Sequence, residues 1–180
     1  MSTYLASSPA FDVVDLEELP DDGRRHELVD GVLVVTPAPG TDHQTCVLSL
    51  AVLLKAAVAA DQKVMIAPYD WVAGPRMVFE PDLLVARLVD LGPDRLERPP
   101  LLVVEVLSPS TRRFDLGLKR SAYAEAGAGW YWVVDPVAPS LTVLALDGDV
   151  YVEQASVTGE EPYEATEPCR VTVVPSTLLA

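Results

Sequence analysis

Glu105 interrupts LLVVEVL (residues 101–107), the most apolar run of the sequence. An ionised carboxylate buried in such a strand costs several kcal/mol unless a cation compensates it. The plain alternative is an acid at a strand's end, paired with an arginine. Asp82 opens a second apolar run, PDLLVA (residues 81–86), directly after Pro81. Carboxylates from two neighbouring strands can converge on one point. That point suits a hard divalent cation, because Mg²⁺ takes oxygen ligands and keeps several waters. No His or Cys lies nearby in sequence, which makes zinc the poorer fit. Taken alone, Asp82 reads more readily as a turn cap or a solvated strand end. Lys119 follows Asp115 by four residues. That spacing gives an ordinary helical ion pair worth about 0.2–0.5 kcal/mol. Alternatively the ammonium points into the metal site, where it would orient a water or offset charge on a phosphate. Glu27 and His43 come from separate N-terminal elements; Glu27 could equally be a solvated residue of a hairpin strand, and His43 could simply sit in the first turn of its helix.

These residues need elements to position them. Asp30-Gly31 separates the runs 26–29 and 32–36 and predicts a two-residue hairpin turn, since both central positions need positive φ. A short acidic helix is expected over residues 11–19. A longer helix is expected over 41–60, with Thr41 and Gln44 spaced as a capping box. Its apolar face is Val47, Leu50, Ala51, Leu54 and Val58. Strands are expected at 63–67, 69–73, 81–86 and 101–107, the last covered on both faces. The loop Ser108-Pro109-Ser110-Thr111 then leads to a helix over 114–126, closed by Gly127 and Gly129. Strands at 130–134, 141–146, 150–157 and 170–174 complete the chain. Helices interspersed with strands give an α/β (α+β) class with a mixed sheet. Residues 1–10 read as a flexible tail and 11–180 as one domain.

The composition bounds the partners. Among 180 residues, 27 acids against 13 bases leave a net charge of −14. That disfavours non-specific binding to nucleic acid or acidic membranes. Four of the bases, Arg112, Arg113, Lys119 and Arg120, fall within nine residues. A polyanion would approach that face. Cys46 and Cys169 belong to no CxxC or disulfide framework and read as free thiols in a reducing, cytoplasmic setting. No secretory leader or run of ~18 apolar residues occurs, so no membrane association is expected.

Several stretches together resemble one family. They are His26-Glu27-Leu28-Val29-Asp30-Gly31; Pro37-Ala38-Pro39 with His43; Pro81-Asp82; Val104-Glu105-Val106-Leu107-Ser108-Pro109-Ser110-Thr111; Asp115 with Lys119 and Tyr123; and Tyr131-Trp132-Val133-Val134-Asp135-Pro136. The sequence is similar over roughly residues 11–155 to the Uma2 family, also known as DUF820. These are restriction-endonuclease-like proteins of the PD-(D/E)XK nuclease superfamily. The resemblance implies a mixed sheet flanked by helices and a divalent metal, Mg²⁺ or Mn²⁺. Asp82 and Glu105 match the family's metal-binding acids, and the Val106 carbonyl would be a further ligand. The wider superfamily carries a lysine two residues after the glutamate. Leu107 stands there, and Lys119 matches the lysine's migrated position on the next helix. Glu27 matches the N-terminal acid. His43, Glu80, Asp115 and Tyr123 are accessory candidates.

The expected activity is metal-dependent hydrolysis of phosphodiester bonds in nucleic acid, with DNA the expected class. Arg112, Arg113 and Arg120 would contact flanking phosphates, which position nucleic acid without reading sequence. With so few bases, binding should be weak. The rival is a catalytically inactive module that keeps the nuclease-like fold. Homo-oligomerisation through the Trp130-Tyr131-Trp132 strand or the late hairpin would suit it.

Overall fold

The computed structural model describes residues 10–20 and 22–180. The expected tail, apart from Ala10, lies outside the described residues. The elements run α1 (Val13–Glu17), β1 (Arg25–Val29), β2 (Val32–Thr36), α2 (Thr41–Ala57), β3 (Gln62–Ile66), β4 (Asp70–Gly74), β5 (Met77–Phe79) and β6 (Leu83–Arg87). After a 3₁₀ turn come β7 (Arg95–Leu96) and β8 (Leu102–Val106). One continuous helix follows, made of α3 (Arg112–Phe114), a π-helical turn (Asp115–Lys119) and α4 (Arg120–Glu125). Strands β9 (Trp130–Asp135), β10 (Ser140–Asp147), β11 (Val150–Thr158), β12 (Tyr163–Ala165) and β13 (Val171–Val173) precede a terminal 3₁₀ turn.

Six strands form a mixed sheet in the order β11-β10-β9-β8-β6-β3. Only the β8–β9 pair is parallel within it. The helix after β8 makes that crossover, as a parallel connection requires. A five-stranded sheet has the order β2-β1-β5-β4-β7. The β1–β2 hairpin turns as its Asp-Gly dipeptide dictates, with φ of 50° at Asp30 and 77° at Gly31.

Strand alternation decides which face holds the site. Leu102, Val104 and Val106 of β8 join Leu83 and Val85 of β6 in a core beneath Cys46, Leu50 and Leu54 of α2. Val103 and Leu107 join Leu84, Ala86, Trp71, Phe79 and Tyr123 in a second core on the opposite face. Glu105 shares the parity of Val103, and Asp82 that of Leu84. Glu105 therefore faces the second core, where Tyr123 reaches it, while Asp82 precedes β6 and meets α2 through His43.

The sequence expectations differ in places. α2 has Gly40 as its N-cap with no side-chain cap, so Thr41 starts the helix and forms no capping box. The helix ends at Ala57 because Val58 turns extended. β5, β7 and β12 lie outside the expected strands; the first two have only three and two residues. Cys46 and Cys169 are both free and buried. No helix among the described residues is long and apolar enough to cross a membrane.

Candidate active site

A recess of about 180 Å³ opens between residues 36–40 and 108–111. Glu27, Asp82, Glu105, Asp115 and Lys119 line it. All five are buried, none more than 2% exposed. They come from four places in the fold. Glu27 is central in β1, Asp82 precedes β6, Glu105 lies in β8, and Asp115 and Lys119 bracket the π-helical turn. Such wide turns in helices frequently mark functional sites. Here both bracketing side chains point inward.

The Lys119 amine is the hub. Nζ lies 2.8 Å from Glu27 Oε1, 2.9 Å from Glu105 Oε1 and 3.9 Å from Asp115 Oδ1. Burial alone would lower its pKa, but Glu105, Glu27 and Asp115 outweigh that and raise it above the usual lysine value. Glu105 also accepts a short hydrogen bond from the Tyr123 hydroxyl. Burial pushes the Glu105 carboxyl well above the usual range, against the pull of Lys119. Asp115 is likewise raised, chiefly by burial.

Asp82 behaves oppositely. Its Oδ2 accepts from the Val106 amide at 2.8 Å and lies 2.9 Å from His43 Nε2. Its Oδ1 accepts from Arg25 Nη1 at 3.0 Å. Burial raises its pKa, but the His43 hydrogen bond and the Arg25 charge prevail and bring it to about 2. Glu80 pairs with Arg25 Nε at 2.8 Å.

Arg25 is the residue that sequence reasoning passed over. The signal was present: it precedes Glu27 by two positions in one strand, so the two share a face. The basic cluster divides instead of converging. Lys119 points into the site. Arg112 is tied to Asp135. Arg120 donates to the Tyr151 carbonyl at 3.2 Å and lines a separate groove with Glu125 and Asp149. Arg113 is exposed. The three arginines expected beside the site therefore do not line the recess. Val106 contributes its amide to Asp82.

The residues present fit a hard divalent cation. Among the described residues, five carboxylates (Glu27, Glu80, Asp82, Glu105 and Asp115) pair with two permanent cations, Arg25 and Lys119. Glu27 Oε2 and His43 Nδ1 are buried without a hydrogen-bond partner. A buried oxygen of this kind requires an explanation, and an ion or ordered water supplies one. Among the described residues, no three His, Cys, Asp or Glu side chains form a metal cluster. Two carboxylates with waters completing the shell are a donor set that Mg²⁺ accepts, and Asp82 and Glu105 both line this recess.

The structure is similar to a solved one described as "a putative nuclease belonging to DUF820" from Anabaena variabilis ATCC 29413. The TM-score is 0.73 at 15% identity, covering 94% of this chain and 97% of the other. That likeness establishes the fold, a mixed α+β architecture shared with this nuclease-like neighbour. No curated protein matches the sequence. The family model described as "Uma2: Putative restriction endonuclease" matches residues 13–173, nearly the whole chain, and the protein therefore belongs to the Uma2 family.

Proposed function

We propose that this protein is a metal-dependent nuclease that hydrolyses phosphodiester bonds, with DNA as its substrate. The supporting observation is the Lys119 amine, held between Glu27 and Glu105 at the floor of the same recess that Asp82 lines. Asp82 and Glu105, with the Val106 carbonyl, would hold Mg²⁺ or Mn²⁺. When bound, such an ion lowers the pKa of a coordinated water and offsets charge on the scissile phosphate. Lys119 stays protonated among its carboxylates, so it serves as a donor and fixed positive charge, not as a base. Two of its three N–H groups are directed at Glu27 and Glu105, and the third can orient a water or stabilise charge developing on a phosphoryl oxygen. Glu27 fixes that amine through Oε1 and offers Oε2 to the ion's shell or to a water. Tyr123 orients the Glu105 carboxylate. His43 and the Val106 amide orient Asp82. The acidic surface makes nucleic-acid binding weak.

One observation favours the rival, an inactive interaction module. Both Asp82 oxygens already have donors. The decisive experiment incubates supercoiled plasmid with the purified protein and Mn²⁺ or Mg²⁺, beside Glu105→Ala and Lys119→Ala. Nicking that requires the ion and is lost in both variants supports the nuclease. No nicking, or nicking unchanged in Glu105→Ala, overturns it.

A further inference from the structure

The three donors on Asp82 differ in kind. The Val106 amide and His43 Nε2 meet at Oδ2 and fix how the carboxylate lies. Arg25 Nη1 reaches the other oxygen, Oδ1, at 3.0 Å. Orientation is thus secured without Arg25, whose contribution is mainly charge. Oδ2 already takes two donors, so Oδ1, with one, is the oxygen less crowded for a divalent cation. A guanidinium and a metal ion cannot both sit against one carboxylate oxygen without strong repulsion.

Arg25 has a second hold. Nε lies 2.8 Å from Glu80 Oε1, and the two side chains are 18% and 16% exposed. They sit at the rim, whereas Asp82 lies at the floor, 2% exposed. Arg25 also lines both the recess and an adjoining groove bounded by Arg24, Pro39 and Gln44. Its head therefore stands where the two openings meet. A planar guanidinium can let go of one carboxylate while keeping another, and its fork suits phosphate oxygens.

We propose that Arg25 is the exchangeable counter-ion of Asp82. It balances that carboxylate until a divalent cation binds. It then turns toward the groove, still tethered by Glu80, and pairs with a non-reacting oxygen of the substrate's phosphate. This rests on the nuclease reading above and adds to it an order of events. Cation binding releases the arginine that grips the nucleic acid.

The test is calorimetric titration of the whole protein with Mn²⁺ alone, without nucleic acid. Arg25→Met should bind Mn²⁺ at least about ten-fold tighter than the native protein, the effect expected on removing one adjacent competing charge. Arg25→Lys, which keeps the charge, should stay within about three-fold of native. At saturating Mn²⁺, Arg25→Met should bind a labelled oligonucleotide about ten-fold more weakly, having lost a charge-assisted phosphate contact. Should Arg25→Met not fold, Arg25→Gln replaces it, keeping an amide N–H for Asp82. Mn²⁺ affinity unchanged or weakened in the neutral variant overturns the exchange. Unchanged oligonucleotide affinity overturns the phosphate contact. A native protein that binds Mn²⁺ and nicks DNA while the neutral variant shows no tightening defeats this inference alone. A native protein that binds no Mn²⁺ defeats the nuclease reading and the exchange together.

Discussion

Lys119 and Glu105 meet at 2.9 Å across the crossover that joins β8 to β9, fourteen residues apart and both buried. The strand carries the acid to the sheet's second face, and the π-helical turn carries the amine back over it. Neither charge belongs in an apolar interior alone. Their pairing, with Glu27 on the amine's other side, makes the site a structural element as well as a chemical one.

Lys119→Met should therefore destabilise the fold by about 3–5 kcal/mol, the usual consequence of removing one member of a buried ion pair. Urea denaturation would measure it. Adding Glu105→Gln to Lys119→Met should recover part of the loss, because the uncompensated carboxylate is gone. Equal, additive losses in the double-mutant cycle would show that the two side chains do not depend on one another.

Tyr123 offers a gentler probe. Its ring packs 4.8 Å from Phe79, 5.3 Å from Tyr131 and 5.7 Å from Trp71, centroid to centroid. Tyr123→Phe keeps this packing and removes only the hydroxyl that Glu105 accepts from. A hydrogen bond to a charged group is worth about 1.5–3 kcal/mol. The melting temperature should fall by about 3–10 °C for a chain of this size. A shift below 1 °C would mean that the Glu105 carboxylate is held without Tyr123.

Much of this site was legible because buried charge stands out. Glu105 was conspicuous in an apolar strand, and Lys119 lay one turn beyond Asp115. The hairpin could be read from Asp30-Gly31, since few dipeptides accept positive φ twice. Pairing between distant strands was not legible. Nothing local says that β8 adds to β6 and β9 while β1 adds to β5. β5 has only three residues, too few for alternation to show. Arg25 was missed for a related reason. Only the fold shows that Asp82 and Glu80 lie opposite that strand face. The basic cluster misled in the other direction, because closeness in sequence scatters side chains around a helix.

Arg120 tests that last point. It lines a groove with Glu125, Asp149 and Tyr151, apart from the recess. Arg120→Gln should leave oligonucleotide affinity within about two-fold and the salt dependence unchanged. A side chain on a phosphate would instead reduce the salt slope by about one when removed. Fluorescence anisotropy at several salt concentrations decides between them. A reduced slope for Arg120→Gln would move the nucleic-acid track onto that face.

Asp135 provides a pH signature away from the carboxylates of the recess. Its Oδ1 accepts from the amides of Val137 at 2.9 Å and Ala138 at 3.2 Å, and its Oδ2 pairs with Arg112. Burial raises its pKa, but the Arg112 hydrogen bond and these amides prevail and hold it below the ordinary 3.8. The unfolded chain therefore takes up this proton more readily than the folded one. The stabilisation is complete above pH 3.8 and is lost as the pH falls through the depressed folded value. Asp135→Asn carries no such proton. It should be less stable than the native protein at pH 7, by about 1–3 kcal/mol for the lost charged hydrogen bonds. The gap should narrow steadily below pH 3.8, because only the native side chain titrates. Urea midpoints for both proteins between pH 7 and pH 3 would measure it, and a gap that stays constant across that range would contradict the assignment.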